Sequence, residues 1–525
     1  MTVFEPCWII FIRSSLRVTS LRSVKLLNHL MSIFLQKVAR NSRGIQTSIE
    51  FLKPCVIALG FSILIIACGL ISTENNIFRT WLSSLSAFGI IWIYVLQCYG
   101  GRLPLRSNVL VMLGFSASNL VPPLYLSVRL HSEPCLDTYY VADMYPLVAL
   151  MTTIGALALL FGYELVDRKF RAGIPSRLSW GLLSAYRVMP IMVIIAGVIW
   201  VARGILLVSG GYYWVYVNPD FVFGRWGSVI GTISDFGLIV PIGFWLLAGK
   251  NPLWRPWAWL ATGVELIWVL PSGARETFIE TLFGLLLVFW WCKQRFPWRG
   301  MMALLVAAII AVPIMGEYRY SIASFTDVNR VSISSSVAAA RVAREHFVLS
   351  SGRTSLGFLD NFANRLYDGQ HLGYLLKHYS EDYDWEYGAT YYTRLPFLLL
   401  PYFIYPHRPI MSVPLDHWYK LVLGGSSPTT FLGEAYINFG YLGIPIMGFL
   451  IGMILAGYDA VFLRRQNDFF AVMVYLFFAS QMPRMVSASL ASWMGNLRNA
   501  ILALIVFYLV RCFLGGRRSN LTREP

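Results

Sequence analysis

A single carboxylate, Glu434, stands near the start of an apolar run long enough to cross a bilayer, FLGEAYINFGYLGIPIMGFLIGMILAGYDA (431–460). An acid in this position can serve as a general base, because proton transfer needs an acceptor held close to the reacting group. It can equally cap a helix, since a negative charge near a helix N-terminus complements the helix dipole. The chemistry of this stretch therefore depends on where the run lies in the fold.

A second stretch with chemical potential, SEDYDWEYGATYY (380–392), interleaves four acids with five aromatic residues. Carboxylates accept hydrogen bonds from sugar hydroxyls, and aromatic rings stack on the apolar faces of pyranoses. The same composition also suits a tyrosine-rich turn packed on a membrane surface. The candidate sugar contacts are Asp382, Asp384, Trp385 and Tyr387, together with Tyr436 and Asn438 in the run above.

The composition of the 525-residue chain is that of a polytopic membrane protein, with 57% hydrophobic residues against 13% charged residues. At about 20 apolar residues per spanning helix, the chain holds about 12 spans and one sizeable extramembrane region. Hydropathy, with Gly, Pro and charge clusters as boundaries, places the spans near 53–71, 81–98, 108–128, 144–163, 186–208, 228–248, 257–270, 277–292, 301–315, 432–458, 468–482 and 486–510. The short seventh and eighth spans also fit one re-entrant pair. The seven cysteines show no paired spacing, so no disulfide framework is expected.

Lys and Arg crowd the N-terminal segment and alternate connections, which is the pattern of the positive-inside rule. The net charge of +16 is therefore mainly a topology signal, with a nucleic-acid surface as the weaker interpretation. The rule predicts that both termini are cytoplasmic. It divides the chain into a basic arm (1–50) that suits an interfacial helix, a bundle of about nine helices (51–315), a large outer segment (316–430), C-terminal helices (431–510) and a basic tail (511–525).

Arginines border the apolar, proline-punctuated run LPFLLLPYFIYPHRP (395–409), which is too short to span and is expected to be re-entrant or interfacial. Arg394 and Arg408 flank this run, and their planar forks at headgroup depth suit a lipid-linked pyrophosphate. A solvated, salt-bridged loop is the alternative. The turn PSGARETF (271–278) places Arg275 at the same face. Among deeper charges, Arg203 and Asp235 are candidates for a structural pair.

Four stretches together resemble the Wzy-type O-antigen and oligosaccharide repeat-unit polymerases. They are the PSGARE turn, NRLYDGQH (364–371), YPHRP (405–409) and SSPTTFLGEAYINFGYLGI (426–444), in this order from about residue 270 to 460. The first 250 residues match that family only as hydropathy. The resemblance implies an all-α, GT-C-like membrane enzyme of the bacterial inner membrane.

The resemblance also implies that a glycan on undecaprenyl pyrophosphate is the donor and a lipid-linked repeat unit the acceptor, with transfer at the periplasmic face. Such chemistry needs cations for the departing pyrophosphate and a base for the attacking hydroxyl. The candidate bases rank Glu434, then His371, then Asp368. The candidate cations are Arg275, Arg365 and Arg408, with Arg353 and Arg394 in reserve.

The chain departs from the family in its arginine-rich loops, because within the outer segment 316–430 the Arg-x10-Gly spacing occurs only once, at Arg341 and Gly352. Asp382 and Asp384 form a DxD pair, but nucleotide sugars are absent outside the cell, so no metal or cofactor is expected. Expected partners are the two lipid-linked substrates and membrane lipids, with a chain-length regulator and a flippase as further candidates. The alternatives are an O-antigen ligase, which uses lipid A core as acceptor, and a lipid-linked oligosaccharide flippase or other transporter, for which internal repeats would be typical.

Overall fold

Helices make up the regular structure of the computed structural model, and the residues that it describes contain no β-strand. The described residues are 76–99, 103–132, 143–170, 182–208, 230–231, 233–272, 275–325, 341–342, 362–363, 366–382, 384–392, 430–466, 468–487, 490 and 505. This confirms the all-α prediction for that part of the chain.

Thirteen α-helices are numbered here along the described residues: α1 (Asn76–Cys98), α2 (Ser107–Phe115), α3 (Pro122–Ser132), α4 (Tyr145–Phe170), α5 (Leu182–Val208), α6 (Ile239–Lys250), α7 (Arg255–Ser272), α8 (Arg275–Lys293), α9 (Trp298–Phe325), α10 (Gly369–Asp382), α11 (Ala389–Tyr392), α12 (Phe431–Leu463) and α13 (Phe469–Gln481). A π-helical segment, Ser116–Leu120, joins α2 to α3, and 3₁₀ turns lie at Phe236–Leu238, Pro252–Trp254 and Pro483–Val486.

Six helical stretches are long and apolar enough to cross a membrane: Ile77–Leu96, Ser107–Val128, Tyr145–Asp167, Val188–Leu206, Ile233–Lys250 and Phe431–Leu463. Each overlaps a span predicted from hydropathy, and the chain is a membrane protein. The predicted seventh and eighth spans form two separate helices, α7 and α8. The predicted ninth span ends at 315, whereas α9 continues to Phe325. The total of about 12 spans stays a prediction.

The tightest helix pair is α4 with α12, and glycine makes this approach possible. A Cβ on Gly452 would collide with the carbonyl oxygen of Leu159, and a Cβ on Gly162 would collide with that of Phe449. Small residues let membrane helices approach to backbone contact, where van der Waals packing holds them together. Elsewhere on this interface, Gly448 lies against the Gly155 carbonyl and Asp459 accepts a hydrogen bond from Tyr163, so the contacts advance in the same direction and α4 and α12 are parallel.

A buried carboxylate, Asp459, joins four helices at the C-terminal end of this pair. Its Oδ2 accepts hydrogen bonds from the Tyr163 hydroxyl at 2.5 Å and the Ser107 amide at 3.1 Å. Its Oδ1 accepts from the Tyr475 hydroxyl at 3.2 Å. Arg106 donates to Tyr163 at 3.2 Å and forms an ion pair at 2.8 Å with Asp167 of α4. We call this side of the bundle the Asp459 end, and the opposite side the Glu434 end.

The two ends of the bundle can be distinguished by two exposed positions. Leu253 lies at the Asp459 end, because it follows α6 closely. The last turn of α6 contacts Cys292 through Gly249. The residue before Cys292, Trp291, packs its ring on Tyr475, which bonds to Asp459. Asp384 lies at the Glu434 end, since the Glu386 amide bonds to the Ile437 carbonyl.

We therefore expect Asp384→Cys and Leu253→Cys, each in a background without native cysteines, to react with an impermeant thiol reagent from opposite sides of the membrane. The positive-inside rule predicts that intact cells label Asp384→Cys. Permeabilised cells, in which both variants should react, provide the control. Labelling of both variants in intact cells would contradict this architecture.

Candidate active site

Three interruptions of regular helix lie towards the Glu434 end. They are the π-helical segment 116–120, a break inside α12 at 439–440, and the 3₁₀ turn 483–486 that follows α13. Irregular backbone at membrane depth is tolerated only where protein buries it or where it lines a water-filled cavity. This end of the bundle is therefore the first place to look for a binding or catalytic site.

The π-helical segment bonds to the residue that precedes α10, and α2, which leads into this segment, contacts the 3₁₀ turn. Gly114, in the turn just before this segment, lies so close to Pro483 that a Cβ would overlap the Pro483 backbone. The carbonyl of Ser118 accepts a hydrogen bond from the Asp368 amide at 3.2 Å. This bond holds Asp368, a candidate base, beside the π-helical segment. Such segments are frequently found at functional sites.

The break inside α12 separates a short half-helix from the spanning helix. Phe439 has φ −139° and ψ 18°, and Gly440 has φ +60° and ψ −150°, a conformation that only glycine adopts readily. The chain folds back at this point, so that Gly443 approaches the Ala435 carbonyl. The predicted span 432–458 therefore overlaps the apolar stretch Phe431–Leu463, but its helix is interrupted, because Gly440 permits a backbone turn that hydropathy does not register.

Glu434 lies on the half-helix, is 0% exposed, and ties it to the chain beyond the 3₁₀ turn. Its Oε2 accepts a hydrogen bond from the backbone amide of Leu490 at 2.6 Å. Thr430 caps the half-helix by accepting from the Gly433 amide at 3.0 Å. Glu434 thus accepts the hydrogen bond of a buried N–H in the chain that follows α13 and its 3₁₀ turn. This is a structural role.

Asn438 and Tyr436, both predicted sugar contacts, lie buried among protein groups. Asn438 Nδ2 donates to Thr390 Oγ1 and to the Glu434 carbonyl, each at 2.7 Å. The Tyr436 ring packs edge-on against Trp385 with 5.2 Å between ring centroids. These contacts join α11 and the segment before it to the half-helix.

The remaining described sugar candidates lie nearer the surface. Asp384 and Tyr387 are exposed, and Trp385 is partly buried, with its ring 5.7 Å from that of Tyr379. Asp382 is the last residue of α10, and its side chain lies outside the described part of the structure. The exposed groups leave a small polar and aromatic surface over the break at Gly440.

The hydroxyl of Tyr391 is buried close to Glu434. Burial raises the pKa of the Tyr391 hydroxyl well above its usual range, and the nearby negative charge of Glu434 raises it further. The Asn438 side chain acts in the opposite direction. Tyr391 therefore stays protonated next to Glu434 at any physiological pH.

Asp368 combines partial exposure with a perturbed acidity. Burial raises the pKa of this carboxyl to about 7, the Ser487 hydroxyl and Arg484 lower it, and Glu276 raises it. His371 lies one helical turn further on and donates its amide to the Asp368 carbonyl at 3.1 Å. Burial lowers the pKa of the His371 imidazole to about 4, so this ring is neutral at pH 7. The two candidate bases from NRLYDGQH are therefore joined by a backbone hydrogen bond.

Arg484 is the charged residue of the site that sequence reasoning missed. Its Nη2 pairs with Glu276 Oε2 at 2.5 Å, and its Nη1 pairs with Glu280 Oε1 at 3.2 Å. The Arg484 side chain is 45% exposed, against 65% for Glu276 and 13% for Glu280. The available signal was the Pro483-Arg484 pair directly after an apolar run, which the hydropathy pattern treated as a connection between two spans.

Only one of the five predicted pyrophosphate-binding arginines is described by the structure. Arg275 begins α8, is partly exposed and precedes Glu276, which pairs with Arg484. The other four, Arg353, Arg365, Arg394 and Arg408, lie outside the described residues.

The buried arginine Arg203 forms an ion pair with Glu265, where the sequence suggested Asp235 as a partner. Two guanidinium nitrogens contact the two Glu265 oxygens at 2.6 and 3.0 Å, and a carbonyl oxygen at Ser234 accepts from the same guanidinium. The guanidinium also lies 4.9 Å from the centre of the Trp268 ring. This pair joins α5 to α7. Its charged groups are bonded within the protein, which is typical of a structural ion pair.

Comparisons of the chain with protein-family models, with curated proteins and with solved structures return no match. Within the described residues, no group of three or more His, Cys, Asp or Glu side chains has the arrangement needed to hold a metal ion. The interpretation of the site therefore depends on its own geometry.

The contact between Glu434 and Leu490 predicts how substitutions at Glu434 affect stability. Glu434→Ala removes the acceptor of a buried N–H and should lower the free energy of unfolding by about 1–3 kcal/mol, seen as a lower thermal transition of the purified protein. Glu434→Gln keeps an acceptor oxygen and should stay close to the parent protein. The exposed Asp384→Ala serves as the control. Equal stability of Glu434→Ala and the parent would contradict an anchoring role.

Proposed function

We propose that the protein is a polysaccharide polymerase that joins undecaprenyl-pyrophosphate-linked repeat units at the periplasmic face of the bacterial inner membrane. The observation that supports this most is the position of Asp368, whose amide bonds to the π-helical segment at the same end of the bundle as the partly exposed ion pair of Arg484 and Glu276. The resemblance of residues 270–460 to repeat-unit polymerases supplies the substrate class. In this proposal both termini are cytoplasmic and the Glu434 end faces outward.

The proposed reaction transfers a glycan from its pyrophosphate to a sugar hydroxyl. The hydroxyl oxygen of the acceptor bonds to the anomeric carbon of the donor, and the bond from that carbon to the pyrophosphate oxygen breaks. The hydroxyl proton passes to a carboxylate, while cations stabilise the charge on the departing pyrophosphate. The pyrophosphate already activates the donor, so no nucleotide is required outside the cell.

Asp368 is the proposed proton acceptor, ahead of Glu434 and His371. A general base works best with a pKa near the operating pH, and the pKa of Asp368 is about 7. Glu434 ranked first from the sequence, but its carboxylate is fully buried and holds the Leu490 amide. The imidazole of His371 has a pKa of about 4 and binds a proton too weakly to be the first candidate for the base.

The proposed pyrophosphate site uses Arg275 together with Arg365 and Arg408, with Arg353 and Arg394 as further candidates. Arg275 lies at the same end of the bundle as Arg484, since its neighbour Glu276 contacts Arg484. The proposed glycan surface is formed by the exposed Asp384 and Tyr387 with the partly buried Trp385. Tyr436 and Asn438 support this surface from below through Trp385 and Thr390.

Purified protein in lipid nanodiscs, supplied with lipid-linked repeat units, tests the proposal directly. A ladder of products that differ by one repeat unit supports a polymerase. A single transfer to lipid A core, when this acceptor is present, would identify a ligase and overturn the proposal. Movement of the lipid-linked sugar across the bilayer without a new glycosidic bond would identify a flippase.

We expect Asp368→Asn to lower the rate of chain extension by about 10²- to 10⁴-fold, the usual contribution of a general base. In the parent protein the rate should rise with pH through about 7, because Asp368 must lose its proton before it can accept another. The control is Asp143→Asn, which removes the exposed ion pair with Lys377. A ladder from Asp368→Asn that matches the control would remove Asp368 from the reaction.

A further inference from the structure

Two short connections at the Asp459 end carry the same order of residue types. The chain reads KNPLWRPW (250–257) between α6 and α7, and KQRFPWR (293–299) between α8 and α9. Each begins with the lysine that ends a helix and continues through an arginine to a Pro-Trp pair at the start of the next helix. We call them the basic connections. They hold five cations, namely Lys250, Arg255, Lys293, Arg295 and Arg299, and the flanking stretches 236–264 and 281–316 contain no Asp or Glu.

Helix packing places the two basic connections side by side. A Cβ on Gly249, the residue before Lys250, would lie 3.2 Å from the sulfur of Cys292, the residue before Lys293. At the start of α9, Gly300 lies so close to α8 that a Cβ would overlap the Leu286 side chain. The ends of α6 and α8 and the starts of α7 and α9 therefore form one continuous surface.

Hydrogen bonds and ring contacts fix the backbone of both connections. The Asn251 side chain accepts from the Leu253 amide at 3.1 Å. Gln294 adopts a φ of +52°, and its amide and side chain donate to the Trp290 and Trp291 carbonyls at 2.8 and 2.7 Å. The Phe296 ring packs edge-on against Trp290 and Trp298, at centroid distances of 4.8 and 4.5 Å. Because the backbone is already ordered, a ligand that binds here loses little affinity to ordering the protein.

The cations of this surface are open to a ligand. Arg255, Lys293, Arg295 and Arg299 are exposed, and none of these four forms an ion pair with a carboxylate of the described part of the chain. By contrast, Arg106 at the same end pairs with Asp167. The positive-inside rule accounts for cations on one side of the membrane, but it does not require them to be grouped on one ordered surface.

An apolar stripe runs along α9 away from these cations. Its exposed side chains, Trp298, Met302, Leu305 and Val306, recur at the spacing of one helix face. Tryptophan rings are enriched at the level of the lipid headgroups, and the candidate span of α6 ends at Lys250. The surface thus offers positive charge at headgroup level and apolar area directly next to it.

We propose that the basic connections bind the phosphate headgroup of an anionic phospholipid, whose acyl chains lie along the exposed stripe of α9. The planar guanidinium groups of Arg295 and Arg299 suit bidentate bonds to phosphate oxygens. Lys293 and Arg255 add positive charge from the two sides of the surface. This site lies at the opposite end of the bundle from the candidate active site and does not depend on the proposed function.

Native mass spectrometry of the purified full-length protein in detergent tests the site, with phosphatidylglycerol and phosphatidylcholine titrated separately. The parent protein should retain phosphatidylglycerol at concentrations at which it does not retain phosphatidylcholine. The double variant Arg295→Gln with Arg299→Gln should weaken binding of phosphatidylglycerol by about 30-fold, because each cation near an anionic headgroup contributes roughly a fivefold factor. Its binding of phosphatidylcholine should be unchanged.

The matched control is the double variant Arg464→Gln with Arg465→Gln. It removes two exposed charges from the same end of the bundle, directly after α12 and close to Asp468 in the chain. The control should keep the affinity of the parent protein for phosphatidylglycerol. An equal loss in both double variants would show diffuse attraction of charge and would overturn the proposal.

Two further measurements keep the proposal open to contradiction. The double variant Arg295→Lys with Arg299→Lys keeps the charge and should retain most of the binding, and all variants should share the thermal transition of the lipid-free parent. Equal affinity of the parent for the two lipids would overturn the site. Competition by glycerol 3-phosphate as strong as that by phosphatidylglycerol would also overturn it, because the acyl chains would then contribute nothing.

Discussion

A helix interrupted inside a bilayer leaves backbone amides and carbonyls that neither lipid nor the helix itself can satisfy, and the Glu434 end of this protein is built around that constraint. Each interruption is matched by a partner from elsewhere in the chain. The Glu434 carboxylate accepts from the Leu490 amide, the Ser118 carbonyl accepts from the Asp368 amide, and the Ile437 carbonyl accepts from the Glu386 amide. Two of the candidate catalytic residues, Glu434 and Asp368, are therefore held by bonds that satisfy backbone groups in this region.

The two ends of the bundle use buried charge in different ways. At the Asp459 end the central carboxylate is enclosed and receives three hydrogen bonds from Tyr163, Ser107 and Tyr475, an arrangement typical of a structural junction. At the Glu434 end the charged groups of Arg484 and Glu276 remain partly open. A buried network in which every polar group is hydrogen-bonded favours rigidity. An exposed ion pair is weaker, so its charged side chains remain available to a substrate. The difference explains why we assign chemistry to the Glu434 end.

The sequence predicts the described spans well, because an 18-residue apolar stretch carries a strong signal. The break at Phe439 and Gly440 escaped prediction, since both residues are as apolar as their neighbours and only the φ angle of glycine distinguishes the site. Arg484 was missed for the opposite reason, because a charge between two apolar runs was taken as their boundary. The buried partner of Arg203 was also missed, since Glu265 lies 62 residues away along the chain and only tertiary packing joins them. Candidate residues in 364–371 were found by resemblance, but their ranking required burial and neighbouring charges.

The central claim is that substrate meets the protein where the interrupted helices converge. A lipid-linked repeat unit that carries a photoreactive diazirine beside its pyrophosphate tests this most directly, with the attachment sites mapped by mass spectrometry after illumination in nanodiscs. We predict that adducts concentrate in residues 366–371, 275–280 and 482–490, and that excess unlabelled substrate suppresses them. Adducts concentrated around Asp459 and Arg106, or spread along the lipid-facing surface without competition, would contradict the account.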